Sequence, residues 1–183
     1  MPKRLPDYSE PISITFTDDG NVDFNALYEV VEEKVTSIYK DAYFRSFRLQ
    51  VSFDSEFRME KEVVVFRYYQ KRIKLFGFVT ERKLITGAVD LENGLISYSV
   101  YNENRYIIED PIILEDKNTV YEVLNVISPI LQNNQKDMKS EVSILLVPGE
   151  WLVSQTVFAE ESQRSFHVYE LDIDTLTIRE SNK

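Results

Sequence analysis

Two apolar stripes of helical period, each followed by a long stretch of period-two alternation, constrain this chain more than any other feature. In the first, Phe24, Leu27, Tyr28, Val31, Val35 and Ile38 recur at spacings of three and four, while Glu29, Glu32, Glu33 and Lys34 fall off the stripe. That pattern predicts an amphipathic helix over 24–40 with one face for a core. In the second, Val120, Leu124, Ile127 and Leu131 hold the same spacing, with Asn118 and Thr119 as capping candidates. Pro129 lacks an N–H and crowds the carbonyl four residues back, so a kink or stop is expected near Ser128.

Behind each helix the period changes to two. Phe47, Leu49, Val51 and Phe53 alternate with Arg48, Gln50 and Ser52, the pattern of a half-buried strand. "EVVVFRYY" and "IKLFGFVT" are β-branched and aromatic and predict two more strands, with a helix over 56–72 as the alternative. "LITGAVDLENGLISYSVY" predicts a hairpin turning at Asn93-Gly94, with positive φ at both residues. After the second helix, "EVSILLV", "WLVSQTVF", "SFHVYELDI" and "LTIRE" read as strands, and Pro148-Gly149 suits a type II turn. Lead-in strands are expected at Ile12 to Phe16 and at Ile112 to Leu114.

The helices share more than a period. "NALYEVV" and "NTVYEVL" have four identities in seven, and the elements around them follow in the same order. The expectation is an α+β fold made of two related units of strand, helix and antiparallel strands, arising by internal duplication, with helices packed on one face of a mainly antiparallel sheet. Residues 1–10 are expected to be a flexible segment, 11–110 the first unit and 111–180 the second, packed as a single compact structure. A chain of 183 residues is long enough to bury such a core. The order of elements is similar to that in bacterial secretion-chaperone-like proteins and in small immunity proteins that neutralise toxins. That likeness is one of architecture and implies no site.

Charge narrows the classes of function. The chain carries 21 Lys and Arg against 31 Asp and Glu, a net charge of −10. Phe44 to Lys83 alone holds ten cations against five anions, leaving 11 against 26 elsewhere. An acidic surface repels polyphosphate, so non-specific nucleic-acid binding is disfavoured and a basic partner protein is favoured. There is no Cys for a disulfide, thiolate nucleophile or Cys-ligated zinc, and only five Gly, too few for a glycine-rich phosphate cradle. No apolar run approaches a membrane span and none follows the N-terminal basic residues as in a secretory signal, so a soluble cytoplasmic protein is expected.

No residue pattern points to catalysis, a metal or a cofactor. His167 is the sole His and lacks the partners of a triad or zinc site. Asp19, Asn21 and Asp23 alternate like the first ligands of a calcium loop, but Phe24 and Val30 stand where the loop needs Gly and a bidentate Glu. Those carboxylates suit a helix N-cap instead. The acidic pairs Glu109-Asp110, Glu115-Asp116 and Asp172 with Asp174 read as solvated surface. The stretch with most to offer is "FRYYQKRIK", where Arg67, Lys71, Arg72 and Lys74 interleave with Tyr68 and Tyr69. Guanidinium groups beside aromatic rings serve single-stranded nucleic-acid readers. The plainer reading is a strand and hairpin whose charges guard an exposed sheet edge and whose tyrosines pack, and a third is a surface that meets an acidic protein.

The function expected is therefore binding to another protein by surface complementarity, as a chaperone, immunity factor or assembly factor. Single-stranded nucleic-acid binding through 66–74 is the alternative, and a small-ligand or enzymatic pocket between helices and sheet is a third. Unpaired edge strands leave a dimer open.

Overall fold

A computed structural model describes residues 8–74, 78–103, 112–159 and 163–181. Among the described residues the fold is α+β, as predicted, with two helices and an antiparallel sheet. The elements are β1 (Tyr8–Pro11), α1 (Phe24–Ile38), β2 (Tyr43–Phe53), β3 (Met59–Lys74), β4 (Phe78–Asp90), β5 (Leu95–Glu103), α2 (Val120–Gln135), β6 (Lys139–Leu146), β7 (Glu150–Phe158), β8 (Arg164–Asp172) and β9 (Thr177–Glu180). Hydrogen bonding orders the nine strands β1-β5-β4-β3-β2-β6-β7-β8-β9.

The chain divides into two compact units, Met1–Ser46 with Val65–Ile113, and Phe47–Val64 with Leu114–Lys183. β2 and β3 therefore each contribute to both. In β2 the alternation of burial slips at Arg45 and Ser46, two successive half-buried residues, just where the chain leaves the first unit.

In the first unit, α1 buries Phe24, Leu27, Val31 and Val35. Asp23 caps it, its Oδ1 accepting from the Ala26 N–H at 3.1 Å, which settles the role of one carboxylate of the calcium-like trio. Phe44, Phe66, Tyr68, Ile85, Val89, Ile96 and Val100 are buried on the strands of this unit. The ring of Tyr28 on α1 meets Phe44 edge-on at 5.2 Å, and Phe44 meets Tyr68 at 5.7 Å, so even-numbered β3 side chains face the helix. Gly87 lies under the Phe66 ring, and a Cβ there would stand 2.5 Å from the Ser97 carbonyl oxygen.

In the second unit, Val120, Val123, Leu124, Ile127 and Leu131 of α2 are buried together with Phe47, Leu49 and Val51 of β2 and Val142, Ile144, Leu146, Trp151, Val153, Val157 and Leu171. Each large apolar side chain so buried contributes about 1.5–3 kcal/mol. The register pairs Phe47 with Leu146, Val51 with Val142 and Ile144 with Val153, so one face of the strands is largely apolar, with Ser140 and Gln155 as buried polar positions on it.

Several local expectations are corrected. The first strand is Tyr8–Pro11, paired with Leu95 to Tyr98, so residues 8–10 are held in the sheet and Ile12 to Phe16 is not a strand. Ile112 to Leu114 is irregular. Pro129 sits inside α2 without ending it, since the helix continues to Gln135. Thr119 makes no side-chain cap. Its hydroxyl donates to Asp116 Oδ2 at 3.0 Å, and Asp116 Oδ1 takes the Asn118 N–H at 2.9 Å. Between β4 and β5 the turn is the four residues Leu91 to Gly94, with positive φ only at Gly94 (62°). Asp90 explains the difference, because its Oδ1 accepts the N–H groups of Glu92 and Asn93 and shapes a wider turn.

Candidate functional site

The expected site lies on β3, and β3 is an interior strand of the order, so its charges guard no edge. Alternation splits the quoted stretch. Tyr68 faces α1 and is 0% exposed. Arg67, Tyr69 and Lys71 point to the opposite face, Arg67 and Lys71 exposed and Tyr69 half-buried. Arg72 and Lys74 belong to β3, but their side chains lie outside the described residues.

Neighbouring strands of the first unit complete a cluster around these residues. The guanidinium of Arg82 on β4 sits 3.9 Å from the centre of the Tyr69 ring, and that of Arg45 on β2 sits 5.9 Å from it. The ammonium of Lys71 lies 5.3 Å from the Tyr43 ring, and Tyr43 and Tyr69 pack with centres 6.0 Å apart. Cations over tyrosine faces gain about 0.5–1 kcal/mol where exposed and about 2 kcal/mol where desolvated. Arg82, only 7% exposed, belongs to the second kind. Its register partner on β5 is Glu103. The outcome is a basic, aromatic sheet face in which the rings already carry cations. Tyr43, Arg45 and Arg82 escaped the sequence reading because they are 20 or more positions removed from Tyr69 or on another strand, and only strand register brings them together.

Beside this cluster on the same face is an open trough of 410 Å³ lined by Val65, Thr86, Gly87, Ala88, Ser97, Tyr98 and Ser99. It exists because the outward positions of β4 and β5 are small. The register sets Thr86 opposite Ser99 and Ala88 opposite Ser97.

On the helix side of the first unit, Tyr28, Glu32 and Tyr68 form a titratable cluster. Burial first, and then the Glu32 carboxylate, push both tyrosine hydroxyls well above their ordinary range. Held protonated, Tyr68 fully buried and Tyr28 half-buried, they join the helix to the sheet.

The second unit holds a buried amide network. Gln155 donates to the Leu131 carbonyl at 2.9 Å and accepts from Asn134 at 3.2 Å, while Asn134 also donates to the Tyr169 hydroxyl at 2.6 Å. The Ser140 hydroxyl donates to Gln135 Oε1 at 2.6 Å, and Gln135 donates to the Asp54 carbonyl. These bonds fasten the end of α2 to the strands. Glu62 is pushed up by burial, offset in part by a hydrogen bond from Tyr121. His167 stacks on Tyr169 with ring centres 6.5 Å apart, and its Nδ1 is 3.8 Å from Glu180. Among the described residues no group of three His, Cys, Asp or Glu is placed to hold a metal ion, and no helix is long and apolar enough to cross a membrane.

No protein-family model matches the chain, and no curated protein matches it. Among solved structures, an acyl-ACP thioesterase from Bacteroides thetaiotaomicron aligns over 92% of both chains at 12% identity with a TM-score of 0.25. The full-length peroxisomal multifunctional enzyme type 2 from Drosophila melanogaster aligns over 85% of this chain and 39% of its own at 10% identity, with a TM-score of 0.21. Superpositions this loose carry no fold assignment or activity across to the chain.

Proposed function

We propose that the protein acts by binding another protein, and that its working surface is the face of the first unit's sheet turned away from α1. One observation carries this reading: Arg45, Lys71 and Arg82 gather around Tyr43 and Tyr69 on that face, with exposed Arg67 on the same side of β3, in a chain whose net charge is −10. A basic island in an acidic molecule steers and orients an oppositely charged partner while the remaining surface repels wrong approaches. The overall acidity favoured a basic partner, but at this face the local charge reverses the argument. The cation–ring stacks fix the arginines before contact, so less side-chain freedom is lost on binding. Exchange of both exposed cations, Arg67→Glu with Lys71→Glu, tests the reading by quantitative co-isolation from the native cells. Proteins enriched by the wild-type chain should be lost by the double variant, and unchanged enrichment would overturn the face as the binding surface.

The internal duplication belongs to the same proposal. It is supported by helix-then-four-strand order in both halves, α1 with β2 to β5 and α2 with β6 to β9. It is supported further by Tyr28 and Tyr121, aligned in "NALYEVV" and "NTVYEVL", each of which interacts with a β3 side chain in its own unit, Tyr68 and Glu62 respectively.

A further inference from the structure

The binding surface of the first unit has two chemically different parts on one face. On β3, Val65 lines the trough, Arg67 is the next side chain on that side, and Tyr69 and Lys71 follow. At about 3.3 Å per residue, Arg67 stands about 7 Å and Lys71 about 20 Å along the strand from Val65. An extended segment laid along β3 therefore meets an uncharged trough first and cations two and six residues later.

We propose that this face reads an acidic peptide segment carrying one aromatic side chain, with the ring in the trough and carboxylates about two and about six residues away on Arg67 and Lys71. This rests on the reading of the face as a protein-binding surface. The trough, at 410 Å³, lies near the lower end of the about 300–1,000 Å³ range of ligand pockets, enough for one large side chain. Its walls are methyl and methylene groups of Val65, Thr86 and Ala88 with the hydroxyls of Thr86, Ser97 and Ser99, a lining that accepts a ring and its polar edge. Charge complementarity selects the rest of the segment. Exposed Arg67 and Lys71 favour carboxylates. A nucleic-acid strand fits less well. Base stacking needs open rings, whereas Tyr69 lies against Arg82 and Arg45, and Tyr43 against Lys71. The net charge of −10 also opposes a polyphosphate more than a short acidic segment.

Fluorescence anisotropy on the full chain tests this with four fluorescein-labelled probes of about ten units, long enough to span the face. They are a peptide of Asp, Glu and Ser around one Phe, the same peptide with Ser for Phe, its Lys counterpart, and a single-stranded oligodeoxynucleotide. The Phe-containing acidic peptide should bind about tenfold or more tightly than the other three, and rising salt should weaken it. Arg67→Glu with Lys71→Glu should reduce that affinity about tenfold or more. Ala88→Trp, or Ser97→Trp if the first fails to fold, should do the same by filling the trough, in a variant whose circular dichroism matches the wild type. Equal binding of the Phe-free peptide, wild-type affinity in a folded trough variant, or tighter binding of the oligonucleotide would each overturn the assignment. If no probe binds while the double charge variant still loses the natural partners, the acidic-aromatic class is wrong and the face stands. If the natural partners are retained by that variant, the face itself is wrong.

Discussion

Asp90 and Asp172 hold the same turn. Each Oδ1 accepts the N–H two residues on at 3.0 Å and the N–H three residues on at 3.2 Å. Each turn ends in a left-handed residue, Gly94 at φ 62° and Leu176 at φ 52°. The aspartates close the β4–β5 and β8–β9 hairpins. The two turns differ in cost. Glycine takes this conformation freely, whereas a side chain there costs about 1–2 kcal/mol.

Leu176 is exposed, so its strain is offset by no packing. Leu176→Gly should stabilise the protein by about 0.5–1 kcal/mol, the strain relieved less the entropy that glycine adds to the unfolded chain. Gly94→Leu should destabilise it by about 1–2 kcal/mol, because the same net strain is joined by a Cβ 3.0 Å from the Ile12 carbonyl oxygen. Urea denaturation of both variants checks the pair, and equal effects of one sign would refute the equivalence of the turns.

Gly87 is a packing position. An added Cβ meets the Phe66 ring and the Ser97 carbonyl, and backbone cannot give way as a flexible side chain does. Gly87→Ala should cost about 1–3 kcal/mol as an overpacked site, measured as a fall in denaturation midpoint. Phe66→Leu should restore only part of the loss, because the carbonyl clash remains.

Stability should respond to acid through opposing groups. Backbone N–H groups, of Arg58 for Asp54 and of Thr175 for Asp172, hold these carboxyls below the ordinary range, so their stabilisation is present above that range and is lost as pH falls through their lowered values. Glu62, raised mainly by burial, binds a proton more readily in the fold, so its effect is most favourable below the ordinary glutamate value and is lost as pH rises through its own. Glu62→Gln should remove the second trend and leave the first, measurable from denaturation midpoints across the carboxylate range. An unchanged pH profile would contradict the burial of this carboxyl.

At high pH the tyrosines of the first unit take over. Tyr28 and Tyr68 are raised by burial from an ordinary 10.0, so the unfolded chain ionises first and stability falls as pH rises past about 10. Tyr68→Phe should lessen the alkaline loss, read as a smaller shift in urea midpoint between neutral and alkaline solution.

The fold was legible where period and burial agree. Phe24 to Val35 and Val120 to Leu131 fall on buried helix faces, and Phe47 to Phe53 on a buried strand face. Where a side chain bonds the local backbone, the periodicity misled. Asp90 widened the hairpin and Asp116 took the hydroxyl expected to cap α2. The site was half legible. "FRYYQKRIK" exposed Arg67 and Lys71, but alternation turned Tyr68 inward, and Arg45 and Arg82 arrive through register, a long-range property that no local pattern encodes.

The sheet face opposite α1 in the first unit is proposed to meet a protein partner. Site-specific photocrosslinking in the native cells tests it most directly, with a benzophenone amino acid at position 67 on that face or at position 29 on the exposed side of α1. A discrete protein adduct is expected from position 67 and none from 29. An adduct from 29 with none from 67 would overturn the proposed surface.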